Sequence, residues 1–164
     1  MINSEKNRQI VIKSFSNLEG DEAFKIVDGP NPNYNCIAWA ANVTTEWWEC
    51  LPLDKRPYVL DGVKYNWPFE VDAEFSVRVL KEIFEKLGYE ECNDWKFEEG
   101  FKKVAFYEKD GKATHAARQL TFGLDKGVWS SKLGRAFLIH HGNPHTIANS
   151  PYGEAVYFMK KSMK

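Results

Sequence analysis

The sequence predicts an α+β domain in which helices precede a run of antiparallel strands. Two observations carry that prediction. The first half holds the helical signals and the second half switches to period two with hairpin turns, an order that packs helices on one side of a small curled antiparallel sheet. A length of 164 residues suits one domain, and a domain of that size buries roughly two thirds of its unfolded surface without staples.

Residues 1–30 read as a leader packed on the domain surface and 31–164 as the core. Within the leader, Gln9 to Phe15 alternates like a strand, and Glu22 to Val27 runs into the turn Asp28-Gly29-Pro30. Pro32 keeps Asn31 to Asn35 out of a helix, and the asparagines favour turns and N-caps. The alanines of Cys36-Ile37-Ala38-Trp39-Ala40-Ala41 then favour helix, which puts Cys36 in a first helical turn. From Thr44 to Pro68 the chain is rich in Trp and Pro without a clean period, an ordered excursion that keeps its aromatics out of water.

The strongest helix follows. Asp72 can cap it, Phe75, Val79, Leu80, Ile83, Phe84 and Leu87 recur at three and four residues, and Gly88 ends it. Lys103 to Glu108 reads as a strand, Lys109 to Lys112 as a hairpin turn, and Ala113 to Leu120 as the partner strand. A turn at Gly123 to Gly127 leads to strands near Val128 to Leu133 and Ala136 to His140. Ala155 to Met159 is the last strand, after the Pro151-Tyr152-Gly153 turn.

Composition narrows the function. With 22 basic and 23 acidic side chains, the formal charge is −1, which argues against a binder that neutralises many nucleic-acid phosphates, so any binding face must be local. No apolar run approaches a membrane span, and Met1 to Lys6 lacks a secretory pattern, so the expected location is the cytoplasm, with no membrane partner. Cys36, Cys50 and Cys92 are an odd set at wide spacing, which indicates neither a disulfide framework nor a metal site. No cofactor is called for.

Chemistry could rest on Cys36 and His115. A thiolate at a helix N-terminus is stabilised by unpaired N–H groups and the helix dipole, which makes Cys36 a candidate nucleophile; a buried cysteine that merely packs is the competing reading. His115 opens a strand after a hairpin, where its ring could reach a neighbouring helix end, although a lone strand histidine also serves structure. A Cys at a helix start followed roughly eighty positions later by a strand His is the order that papain-like hydrolases use. Folding the hairpin about Gly123 to Gly127 brings Ser131 to Leu133 opposite His115, so Ser131 is the candidate to orient the ring, with Gln119 as an alternative. Trp39 and Trp129 are candidate cleft walls beside Cys36, while Cys50 and Cys92 are assigned to packing. Gly142 and Pro144 exclude metal-ligand spacing on a helix for His140, His141 and His145, which read as a polar loop with His141 as a support behind the base.

Six blocks in one order resemble a bacterial domain family of unknown function: Asn33-Tyr34-Asn35-Cys36-Ile37-Ala38-Trp39-Ala40, Gly88 to Cys92, Lys103 to Tyr107, Thr114-His115-Ala116-Ala117-Arg118-Gln119, Val128-Trp129-Ser130-Ser131-Lys132-Leu133-Gly134, and Tyr152-Gly153. That pattern is distantly similar to the NlpC/P60 and papain-like cysteine peptidases. The resemblance implies a circularly arranged papain-like core with Cys36 as nucleophile and His115 as base. Two departures stand out. Ile37-Ala38-Trp39 follows the Cys where NlpC/P60 proteins commonly carry small residues, and no His lies near Gly127 to Trp129, where their third residue often falls.

The expected function is hydrolysis of an amide or acyl bond in a protein or peptide-like substrate, or transfer to an amine. The backbone N–H of Cys36, with Asn33 or Asn35, would receive the oxyanion. Two alternatives stand beside it: a catalytically inactive binding module that uses the aromatic excursion, and a toxin or phage effector that modifies a host protein.

Overall fold

The computed structural model describes residues 1–164. It contains three α-helices, α1 (Glu5–Ser14), α2 (Cys36–Ala40) and α3 (Val77–Lys86). Ten strands accompany them: β1 (Lys25–Asp28), β2 (Trp47–Trp48), β3 (Tyr58–Leu60), β4 (Val63–Asn66), β5 (Glu90–Cys92), β6 (Phe101–Lys109), β7 (Lys112–Gln119), β8 (Trp129–Lys132), β9 (Leu138–His141) and β10 (Glu154–Ser162). Seven strands form one antiparallel sheet in the order β1-β9-β8-β7-β6-β10-β5, and β2-β4-β3 form a small second sheet. The fold class is α+β, but the main sheet is large rather than small.

Period-two alternation sorts the strand residues into two cores. Val104, Phe106, Ala116 and Met159 face α2, α3 and the small sheet. Ala105, Tyr107, Ala117, Trp129 and Ile139 face the opposite side, where Val11, Phe15 and Leu18 cover them. Both faces are therefore covered, not one as the sequence suggested. Predicted turns and strands from Lys103 onward agree within a few residues. The β6–β7 hairpin closes on Asp110 and Gly111, both at positive φ (52° and 77°), the pair that a tight right-twisting turn requires.

The N-terminal segment departs most from expectation. Gln9 to Phe15 is mostly helix, not strand, because Ser4 accepts from the Asn7 N–H at 3.2 Å and Val11 and the helix-ending Phe15, four residues apart, both pack into the core. Nor are residues 1–30 a separate cover: β1 pairs with β9, Lys25 opposite His140, and forms an edge of the main sheet. In α3 the cap is Ser76, which accepts from the Val79 N–H at 3.2 Å, while Asp72 lies outside and ion-pairs with Arg78. Val79, Leu80, Ile83 and Phe84 are fully buried, so the predicted periodic face is the one that packs.

β7 and β8 pair only at Arg118–Ser130 and Gln119–Trp129, whereas β8 stays paired with β9 as far as Lys132–Leu138. The first half of β7 therefore splays from β8, and α2 packs over both strands at that opening.

Candidate functional site

Asn35 sets the geometry of α2. Its Oδ1 accepts from the Ala38 N–H at 3.3 Å and the Trp48 N–H at 3.2 Å, and its Nδ2 donates to the Trp48 carbonyl at 2.7 Å. This side chain caps the helix and ties it to β2, with one of its two Nδ2 hydrogens committed to Trp48. Asn33 is exposed in the preceding turn, its N–H bound to Asn31 Oδ1 at 2.9 Å.

Cys36, at the first position of α2, is partly exposed. Burial pushes its thiol up to about 11, against the opposing pull of the Ala116, Ile37 and Cys36 N–H groups and of Lys132. The resting group is a neutral thiol. It opens onto a pocket of about 290 Å³ whose walls include Trp47, Trp48, Trp67 and Phe75, with Cys50 on the same wall. Trp47, Trp48 and Trp67 belong to the Trp-rich excursion that the sequence offered as the surface of a binding module, and Phe75 comes from just beyond it. The predicted walls lie elsewhere. Trp129 is fully buried in the core on the far face, and Trp39 points away, donating to Ser130 Oγ at 3.0 Å beneath the Arg118 guanidinium.

His115 is fully buried on β7, one residue before the Ala116 N–H that faces Cys36. Its ring stacks on Tyr152 at 4.0 Å and 8°, and meets Tyr107 edge-on at 5.2 Å. A hydrogen bond from Thr114 Oγ1 to the Tyr152 carbonyl fixes that tyrosine. His115 Nε2 lies 2.9 Å from Ser131 Oγ, Ser131 Oγ lies 2.8 Å from His141 Nε2, and His141 Nδ1 lies 2.9 Å from the Asn143 carbonyl.

That chain assigns the protons. The Asn143 carbonyl can only accept, so His141 carries its hydrogen on Nδ1 and offers Nε2 as an acceptor. Ser131 donates to it and accepts from His115 Nε2–H. His115 Nδ1 is then a bare lone pair, and it has no hydrogen-bond partner. Burial, aided by the nearby His141, holds the His115 ring well below the usual histidine range, and burial brings His141 down to about 4. The whole relay is neutral near pH 7.

Of the predicted residues, Ser131 and His115 come together, and His141 joins them. Cys36 packs against the core on the α2 side, whereas the His115 ring packs against Tyr107 and Tyr152 on the opposite face, and the two share no hydrogen bond. Gln119 does not reach His115; its Nε2 donates to the Trp95 and Gly127 carbonyls, both at 3.2 Å. Lys132 is a residue the sequence reading left without a role. It is fully buried, its ammonium held by the Asn31, Gly134 and Ala136 carbonyls, with burial lowering it to about 8.

A family described as a domain of unknown function, DUF7689, matches residues 25–160. The chain belongs to that family. The matched segment starts at β1 and ends within β10, so it takes in the main sheet apart from the last two residues of β10, and both ends of the His115 relay. Neither a curated protein nor a solved structure matches the chain. No group of His, Cys, Asp and Glu side chains could hold a metal ion, and no helix is long and apolar enough to cross a membrane.

Proposed function

We propose that the protein is a thiol-dependent acyl hydrolase or transferase on a papain-like core, acting on an amide or related bond of a peptide-like substrate. The single observation that carries this reading is the bare Nδ1 of His115, held by an Nε2-anchored relay on the strand whose next residue, Ala116, turns its N–H to the helix-starting Cys36. An imidazole fixed through one nitrogen by a polar chain, with the other free, is the arrangement of a general base.

In this mechanism the substrate enters the aromatic pocket and its carbonyl carbon meets Cys36 Sγ. Because thiol and imidazole rest neutral, the proton moves from sulfur to His115 Nδ1 as the S–C bond forms, rather than from a preformed ion pair. The carbonyl oxygen becomes an oxyanion, received by N–H groups around the first turn of α2. The tetrahedral intermediate collapses by breaking the C–N bond, and His115 Nδ1–H returns its proton to the leaving amine. Water or a second amine then attacks the thioester, giving up a proton to Nδ1, and the thiol is restored. Throughout, His115 Nε2–H stays on Ser131, which is the positioning role.

Cys50 supplies an internal control, since it lines the same pocket and burial also pushes its thiol up to about 11. With a p-nitrophenyl acyl ester, mass spectrometry is expected to find the acyl group on Cys36 and not on Cys50. His115→Gln is expected to slow that acylation by ~10²-fold or more, the usual contribution of a positioned base. Equal labelling of the two cysteines, or no effect of His115→Gln, overturns the proposal. A second reading, a non-catalytic module that binds an aromatic or apolar group in the Trp47–Trp48–Trp67 pocket, is favoured by the raised thiol pKa, and that negative result would select it.

A further inference from the structure

A second cavity, of about 880 Å³, lies at the other end of α2, around Trp39, Tyr89, Arg118, Lys102 and Lys161. Arg118 on β7, Lys102 on β6 and Lys161 on β10 belong to three adjacent strands, and each lies an even number of residues from a member of the same core: Ala116, Val104 and Met159. Arg118 stands opposite Val104 and Lys102 opposite Lys161, so Arg118 is the diagonal neighbour of Lys102 and the three form a staggered cluster on one face, roughly 10 Å across. Lys102 and Lys161 are direct cross-strand partners, a like-charge pair that costs stability. None of the three takes part in an ion pair, whereas Lys25, Lys64, Lys103, Lys126 and Lys160 all do.

Arg118 is the built element of the cluster. Its guanidinium lies 3.8 Å from the Trp39 ring centroid, its Nη1 donates to Asn42 Oδ1 at 2.8 Å, and its Nε is buried with no partner. Gln119 Oε1, also in this cavity, is buried and unpartnered. The acid in the wall, Asp125, is taken by Lys25 at 3.1 Å and lies 3.5 Å from His140. Phe122 and Leu124, 81% and 105% exposed, rim the same cavity and leave apolar surface in water beside the cations.

We propose that this cleft binds a small ligand carrying a diphosphate joined to a flat or apolar group, of which a nucleoside diphosphate is the simplest example. A staggered cluster of three unpaired cations roughly 10 Å across exceeds what one carboxylate can engage, and matches the several oxygens of two linked phosphates. Arg118 supplies directional N–H donors on a pre-stacked plane, and Lys102 and Lys161 supply point charges whose mutual repulsion the ligand relieves. The Phe122–Leu124 rim covers the attached group. The site does not depend on the reading of Cys36.

The test is calorimetric titration with ADP at low salt, with pyrophosphate and adenosine as separate arms, using the full chain. ADP is expected to bind in the micromolar range, pyrophosphate to bind and compete with it, and adenosine to bind at least ~10-fold more weakly than ADP. Lys102→Gln together with Lys161→Gln, both on the surface of a paired sheet, is expected to lower ADP affinity by ~10-fold or more with an unchanged near-UV spectrum, and Arg118→Lys to weaken it while keeping the charge. Lys126→Gln, outside the cluster, leaves affinity unchanged. Absence of ADP binding at ~10 mM, adenosine binding as well as ADP, or an unaltered affinity in the double variant overturns the proposal.

Discussion

Ser131→Ala tests the relay at its middle. The hydroxyl sits between two imidazoles, 2.9 Å from His115 Nε2 and 2.8 Å from His141 Nε2, and all three side chains are fully buried. Removing it leaves one buried N–H and one buried ring lone pair unsatisfied, each costing about 1–3 kcal/mol, for a loss near ~3 kcal/mol. In a chain of this length that corresponds to a fall of ~10 °C in melting temperature. The variant also frees the tautomer, because nothing then holds the His115 proton on Nε2. Urea unfolding followed by tryptophan fluorescence measures the first effect, and ¹⁵N–¹H spectra of the histidine rings measure the second. In the native protein His115 is expected as the Nε2–H form; in Ser131→Ala, as a mixture. A loss below ~1 kcal/mol together with an unmoved His115 ring spectrum would refute both the proton assignment and the positioning role.

Three further predictions come from other parts of the fold. Unfolded histidines titrate near 6.5 while folded His141 is brought down to about 4, so on acidification the unfolded chain takes up its proton first; stability present above about pH 6.5 is lost as pH falls toward 4, by roughly 3 kcal/mol, with His115 adding in the same direction. Urea unfolding at neutral pH and near pH 4.5 should show that loss, and a His141→Gln chain whose stability changes equally over the same range would contradict it. Asn35→Ala removes the α2 cap bond and the two bonds that join α2 to β2, and is expected to cost about 2–3 kcal/mol and to alter Cys36 labelling; unchanged labelling would show that α2 is held by packing alone. Gly153→Ala would drive a Cβ into the Glu108 carbonyl oxygen at a φ of 73°, so a clear loss of stability is expected, and a wild-type melting temperature would count against the β6–β10 approach.

Much of the second half of the fold was legible because period two and turn residues are local signals. Asp110-Gly111 dictates its hairpin whatever surrounds it, and the alternation through Val104 and Phe106 names the buried faces. The N-terminal segment was misread because Gln9 to Phe15 fits strand alternation over a few residues, while the deciding facts, a Ser4 cap and burial of Val11 and Phe15 against the sheet, depend on capping and tertiary contact. Ser131 was reachable from hairpin arithmetic, since paired positions in β7 and β8 sum to a constant. Trp39 and Trp129 could not be assigned from sequence, because which side of a wall a tryptophan faces is set by long-range packing. The cationic cluster was invisible for the same reason: Lys102, Arg118 and Lys161 are distant in sequence and meet only through the order β7-β6-β10.

Helix α2 spans only Cys36–Ala40, and its two ends border different cavities: Cys36 one, Trp39 and Ala40 the other. Three residues of helix separate sulfur from indole by a rise of about 4.5 Å, too short a rod to bend. The cation-lined cleft and the thiol pocket therefore share one short wall, a single helix of five residues with no intervening loop.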